Sequence, residues 1–202
     1  MKTLRRFLWS AVAIAMLGVS IVFIASEDHR PVAAVEASTT SGFSADFELT
    51  DHNGLSKTAE AFRGRWMLVF FGFTNCPDVC PLGLSTIAQV MEDLSEHGGA
   101  VQPLFITVDP ERDTWAALAD YIPQFGPGIL GLSGSPEQIK HAAENFKIFY
   151  QKSDDDSAPD SYTMSHTSSF LLFDPQGKFV RTYKYDQKPA QIVSDLKEKI
   201  DG

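Results

Sequence analysis

The chain has 202 residues, 44% of them hydrophobic and 21% charged, enough for one substantial core and, with the N-terminal segment set aside, one globular domain. Seventeen Lys and Arg stand against 26 Asp and Glu, a formal charge of −9. No basic cluster is present to bind phosphates, which disfavours a nucleic-acid partner; the acidity serves solubility or steers a basic partner.

In chain order, Lys2, Arg5 and Arg6 come first, and 7–25 is a run of 19 residues without a charge, about what a helix needs to cross the hydrocarbon. The run is longer than the apolar part of a cleaved signal peptide, and "FIASEDHR" offers only a weak cleavage site, so an uncleaved anchor is favoured. The positive-inside rule then makes 1–6 a cytoplasmic tip, 7–25 a transmembrane anchor and 26–44 a small, polar linker, with 45–202 an exported domain. Leaving out the three basic residues of the tip, 14 basic residues face 26 acidic ones, so the exported part carries −12.

From Phe47 the pattern changes. The apolar, β-branched or aromatic runs 66–72, 101–108, 168–173 and 179–185 have strand length. Helical 3-4 spacing links Leu84, Ile87, Ala88, Met91 and Leu94, then Trp115, Leu118, Ala119 and Ile122. It recurs at Ile139, Ala142, Ala143 and Phe146, and at Ile192, Leu196 and Ile200. The order β-α-β-α-(β)-α-β-β-α predicts an α/β fold with a central mixed sheet flanked by helices, mainly parallel but closed by an antiparallel hairpin at "FDPQGKF". Only "SDDDSAPDS" (153–161) reads as a low-complexity loop.

Both cysteines lie in "FGFTNCPDVCP", between the first long strand and a helix beginning near Pro81. That is the carboxyl end of a strand, where open α/β sheets bind ligands. Pro77 and Pro81 keep Cys76 and Cys80 out of the helical region, which puts Cys80 at the N-cap, where the helix dipole favours its thiolate. Three readings stay open: a structural disulfide, a redox-active Cys76–Cys80 pair, or half of a metal site. The disulfide is the weakest, because so short a loop constrains the unfolded chain little.

A metal needs further ligands. Of five histidines, His29 falls in the linker, His52 in a turn, His97 at a helix end and His141 on a polar helix face. His166 in "SYTMSHTSSF" precedes the strand 168–173, and if that strand runs antiparallel to 66–72, His166 reaches the cysteines. The "VDPERDT" segment (108–114) ends the second long strand, with Asp113 read as a helix N-cap and Asp109 and Arg112 as braces for the cysteine loop.

The ordered set "FGFTNCPDVCP", "VDPERDT" and Tyr-x-x-x-His resembles the Sco/SenC family of membrane-anchored copper proteins over about residues 45–200. The resemblance implies a thioredoxin-like fold and copper, as Cu(I) or Cu(II), on Cys76, Cys80 and His166. It also implies a place in the bacterial inner membrane with the domain in the periplasm. The implied role is to deliver copper to, or reduce the thiols of, the dinuclear copper centre in subunit II of cytochrome c oxidase. Other copper chaperones or thiol reductases are further partners. Two thiolates and one imidazole suit Cu(I), which accepts three ligands, whereas structural zinc wants four. Asp78 is read as a neighbour that orients His166 or tunes the site, and Met164 as a soft donor that packs instead. Ser165 stands where the family carries Asp. The acidic loop 153–161 is expected to let His166 swing in when metal binds. The competing function is a thiol-disulfide oxidoreductase acting through Cys76 and Cys80 without metal.

Overall fold

A computed structural model describes residues 43–202; the predicted tip, anchor and nearly all of the linker lie outside the described residues. No helix among the described residues is long and apolar enough to cross a membrane. The packed domain begins inside the stretch read as linker: Phe43 stacks on Phe179 with ring centroids 4.4 Å apart, and Ser44 bridges to Lys178.

The strands are β1 (Glu48–Asp51), β2 (Ser56–Thr58), β3 (Trp66–Gly72), β4 (Val101–Thr107), β5 (Leu130–Ser133), β6 (Tyr150–Asp154), β7 (Tyr162–His166), β8 (Ser169–Phe173) and β9 (Phe179–Lys184). The helices are α1 (Val79–Asp93), α2 (Trp115–Tyr121), α3 (Pro136–Asn145) and α4 (Pro189–Asp201). Seven strands form one sheet in the order β2-β1-β5-β4-β3-β8-β9, and β6 and β7 pair separately as a hairpin.

The sheet is mixed, as expected, and its antiparallel pairings outnumber the parallel ones. The pairings β3–β4 and β4–β5 are parallel, since α1 and α2 carry the chain back between them. Those of β1 with β2 and β5, and of β8 with β3 and β9, are antiparallel. The turn joining β8 to β9 is made by Gly177 at φ 73°, with Asp174 Oδ1 accepting from the amides of Gln176 and Lys178.

β3 lies in the middle and is buried from Met67 to Gly72, which explains its unbroken apolar run: a strand covered on both faces has no solvent side to alternate with. Phe70 stands opposite Phe170 of β8, their rings edge to face at 5.1 Å, and meets Phe105 of β4 at 6.0 Å. The predicted stripe of α1 is confirmed at Leu84, Ile87 and Leu94, all fully buried. On α2 only Leu118 is buried; Trp115, read as core-facing, is half exposed beside Gly54. Two features escaped the periodicity. β1 and β2 are too short to show a period, and β6, exposed after its first residue, and β7 are too polar to read as strand. The supposed loop 153–161 therefore begins inside β6 and turns through Asp160 and Ser161, both at positive φ.

Candidate metal centre

β3 delivers the chain into the cysteine segment at the sheet edge, and β8, antiparallel to β3, starts at that same edge. His166 closes β7 three residues before β8, so the predicted meeting occurs: Nε2 of His166 lies 3.5 Å from Sγ of Cys80. One donor atom from each of Cys76, Cys80 and His166 falls within 4.8 Å of the others, a group able to hold a metal ion. No other Cys, His, Asp or Glu among the described residues joins it.

His166 is held in place without metal. Its ring stands edge-on to Phe73 at 5.8 Å and to Phe70 at 6.3 Å. Nδ1 lies 3.1 Å from the carbonyl oxygen of Thr167, which can only accept, so Nδ1 carries the proton and Nε2 presents its lone pair to the sulfurs. The imidazole is thus already seated between the two rings, and the expected swing is not needed to bring it to Cys80.

The cysteines differ from each other. α1 begins at Val79 with Asp78 at the N-cap, so Cys80 is one turn-position inside the helix and not its cap. Pro81 tolerates this because no intrahelical donor is needed in the first turn. The Asp78 side chain does not cap the helix; instead the Cys80 amide donates to Sγ of Cys76 at 3.4 Å. The helix terminus therefore favours negative charge on Cys76, not on Cys80 as the proline pattern predicted. A hydrogen bond from the Cys80 thiol, with help from the amides of Asp78 and Cys80, brings Cys76 down to about 4 against the opposing effect of burial. Cys80 is pushed far up by sharing its proton with Cys76, by burial and by the adjacent Cys76 charge. The pair holds one negative charge, on the half-exposed sulfur.

In the metal-free, reduced protein, iodoacetamide at pH 6 is expected to modify Cys76 and spare Cys80. The Cys76 rate should stay level down to about pH 5 and fall as pH drops through about 4, where the thiolate takes up its proton. Equal labelling of both thiols, or a rate rising steadily between pH 6 and 8, would contradict this charge assignment.

Cys80 owes its place to Gly72. A Cβ on Gly72 would come within 2.8 Å of Cys80 Sγ and 2.7 Å of Phe105 Cε2, so nothing larger than hydrogen fits there. Sequence reasoning passed over this glycine because its strand pattern is otherwise continuous.

The "VDPERDT" segment turns out to hold both halves of the site. Asp109 and Arg112 brace the histidine hairpin, not the cysteine loop. Arg112 pairs with Asp109, its Nη1 donates to the carbonyl oxygens of Pro159 and Tyr162, and its guanidinium stacks 3.7 Å from the Tyr162 ring centroid. Tyr162 in turn donates its hydroxyl to Asp109 at 2.9 Å. Asp113 is not a cap: Thr114 caps α2 by accepting from the Ala117 amide, and Asp113 is buried beneath the cysteine loop. Its Oδ2 accepts from the Thr74 amide at 2.9 Å and the Thr107 hydroxyl at 2.7 Å, and its Oδ1 from the Thr74 hydroxyl at 2.5 Å. Burial pushes the Asp113 carboxyl above the usual carboxylate range, opposed by these three bonds. Asp78 is exposed and makes no side-chain hydrogen bond or ion pair among the described residues; its predicted contact with His166 is not present. Met164 is buried on β7 and packs, as expected, lining a groove beside α3.

The sequence model of the SCO1/SenC family matches residues 35–201. The chain belongs to the SCO1/SenC family. Curated relatives of this SCO1/SenC chain include the mitochondrial SCO2 homolog of Mus musculus, 42% identical over 77% of this chain and 61% of that protein. The SCO2-like protein of Rickettsia felis is 38% identical over 75% and 74%. The chain thus spans less than two thirds of the mouse protein's length. Among solved structures, ScoI of Arabidopsis thaliana with copper bound superposes with a TM-score of 0.72 at 34% identity, covering 79% of this chain and 98% of that one. ScoI of Bradyrhizobium japonicum with copper bound gives 0.72 at 36% identity, covering 77% and 98%. The fold is thioredoxin-like, as these Sco structures are.

Proposed function

We propose that this chain is a copper-binding assembly factor that takes copper on Cys76, Cys80 and His166. It delivers the metal to, or reduces the cysteines of, the dinuclear copper site in subunit II of cytochrome c oxidase. One observation supports this above the others: two sulfurs and an imidazole nitrogen lie within 4.8 Å, with no fourth protein donor joining them among the described residues. A trigonal ion with bonds of ~2.0–2.3 Å keeps its donors roughly 3.5–4 Å apart, close to the spacing already present. The donor set is soft and three-fold, which suits Cu(I) and leaves structural zinc one ligand short. The copper-bound ScoI structures support the choice of metal, and the description of BsSco as a member of a family of cytochrome c oxidase assembly proteins supports the destination. On this reading the sequence-derived anchor at 7–25 holds the domain at the periplasmic face of the bacterial inner membrane.

Bound copper supplies a soft, exchangeable cargo that an incoming thiolate can take. The chain's own residues set the terms. Cys76 already offers a thiolate where solvent reaches it, Cys80 surrenders a proton as the site loads, and His166 presents the Nε2 lone pair fixed by Thr167. Asp109, Arg112 and Tyr162 keep the histidine hairpin at the cysteine edge.

The asymmetry of the two thiols also supports the second reading, thiol-disulfide exchange. The Cys76 thiolate attacks a substrate disulfide, forming a mixed disulfide and expelling one thiolate. Cys80, after losing its proton, attacks Cys76 Sγ, closing the internal disulfide and releasing the second thiol. Anaerobic titration of the reduced full chain with Cu(I) tests the first reading. One equivalent bound per chain is expected, and no stoichiometric uptake would overturn it. Disulfide turnover undiminished by loaded copper would favour the second.

A further inference from the structure

We propose that Thr74 and Asp113 are positioning residues for Cys76, so that the end of the "VDPERDT" segment sets the geometry of the three-donor site instead of capping a helix. This rests on the copper reading above, but one of its measurements needs no metal.

The three donors are secured unequally. Cys80 is fully buried, inside α1 and against Gly72, and His166 is wedged between Phe70 and Phe73. Cys76 is half exposed, on a loop, and among the described residues the one backbone bond it makes outside helices and strands is a turn from its amide to the Phe73 carbonyl at 3.3 Å. Its position is therefore decided by whatever holds that turn. Thr74 lies inside the turn, and both its amide and its hydroxyl are bound by the Asp113 carboxylate. Apart from the cysteine–histidine contacts themselves, residues 73–78 show no other hydrogen bond to a distant part of the chain among the described residues.

Asp113 is in turn immobilised from three directions. Thr107 at the end of β4 donates to its Oδ2, Ser133 at the end of β5 donates to its carbonyl oxygen at 2.5 Å, and its own amide donates to the Asp109 carbonyl at 2.9 Å. The Asp109 link joins this carboxylate to the residue that receives the Tyr162 hydroxyl, so the cysteine loop and the histidine hairpin are registered against one short segment. A carboxylate accepts from all three donors at once. An amide in its place keeps the Thr74 amide and Thr107 hydroxyl on its oxygen only if its N–H faces the Thr74 hydroxyl, which must then turn to accept, so three bonds to a charged acceptor become weaker neutral ones.

The test uses the full chain with Thr74→Val, which keeps shape and removes the hydroxyl, Thr74→Ser, which restores it, and Asp113→Asn. Ile192→Val on α4 controls for a general loss of stability. Cu(I) affinity is read by competition with a chromophoric chelator, and the Cys76–Cys80 dithiol–disulfide equilibrium is read against glutathione in metal-free protein. Thr74→Val and Asp113→Asn are each expected to lower Cu(I) affinity about tenfold, within the range for residues that orient metal ligands. Thr74→Ser should stay within about twofold of wild type, and the two damaging variants should also shift the dithiol–disulfide equilibrium. Wild-type behaviour of Thr74→Val in both measurements overturns the proposal even if Asp113→Asn fails to fold, as does an equal affinity loss in Ile192→Val. If wild type takes no copper, the copper reading falls, and the metal-free equilibrium of Thr74→Val alone decides the positioning role.

Discussion

His166→Ala is expected to lower Cu(I) affinity by well over the ~10–100-fold that loss of a merely supporting contact costs, because it removes one of three donors outright. The protein should still fold. The imidazole is part-buried at the end of β7, and its lost edge contacts with Phe70 and Phe73 are of the kind worth about 0.5–1.5 kcal/mol each. The two sulfurs remain and can hold Cu(I) in a poorer, two-donor arrangement, so weak residual binding is consistent with the site. Cu(II), which favours nitrogen donors more strongly, should lose stable binding altogether. Competition against a Cu(I) chelator and the visible spectrum of the Cu(II)-loaded protein check both statements. Unchanged affinity in the variant would remove His166 from the site.

Arg112→Ala should be the most damaging single change outside the core, destabilising the domain by about 3–5 kcal/mol. The Asp109 side chain is 3% exposed, and without the guanidinium its charge stays buried with the Tyr162 hydroxyl as its one side-chain hydrogen-bond donor among the described residues. The carbonyls of Pro159 and Tyr162 lose their donor as well, and Tyr162 loses its stacking partner, so the hairpin carrying His166 detaches first. At roughly 2–4 °C per kcal/mol for a domain of this size, the midpoint of thermal unfolding should fall by roughly 6–20 °C. Arg112→Lys should recover only part of this, since an ammonium cannot stack flat on Tyr162 while donating in several directions. A loss under about 1 kcal/mol by chemical denaturation would show that the buried pair is not what holds the hairpin.

Most of what could be read in advance came from patterns with a strong local cause. Continuous apolar runs marked β3, β4 and β8, and the 3-4 stripes marked α1, α3 and α4, because burial on both faces or along one stripe constrains residue type position by position. The hairpin of β6 and β7 did not show, since four of its first five residues are exposed and what stabilises it is Arg112 and Asp109, more than forty positions away in the chain. The same distance explains the misassigned roles in "VDPERDT". Locally, Asp113 before Thr114 looks like a cap, and only the approach of β3's end to β4's end turns its carboxylate toward Thr74.

From sequence alone came the family and the three candidate donors, because residue type and spacing are written along the chain, whereas the antiparallel run of β8 against β3, the condition for His166 to reach the cysteines, came from the fold. The tertiary structure decided which cysteine carries the charge. The chain places both thiols near a helix start, but the direction of one amide, from Cys80 to Cys76, and the burial of Cys80 against Gly72 make Cys76 the thiolate. It also decided which residues hold the donors apart and together, since a buried hydrogen bond between Thr74 and Asp113 depends on where two loops meet in space, and no local pattern records that meeting.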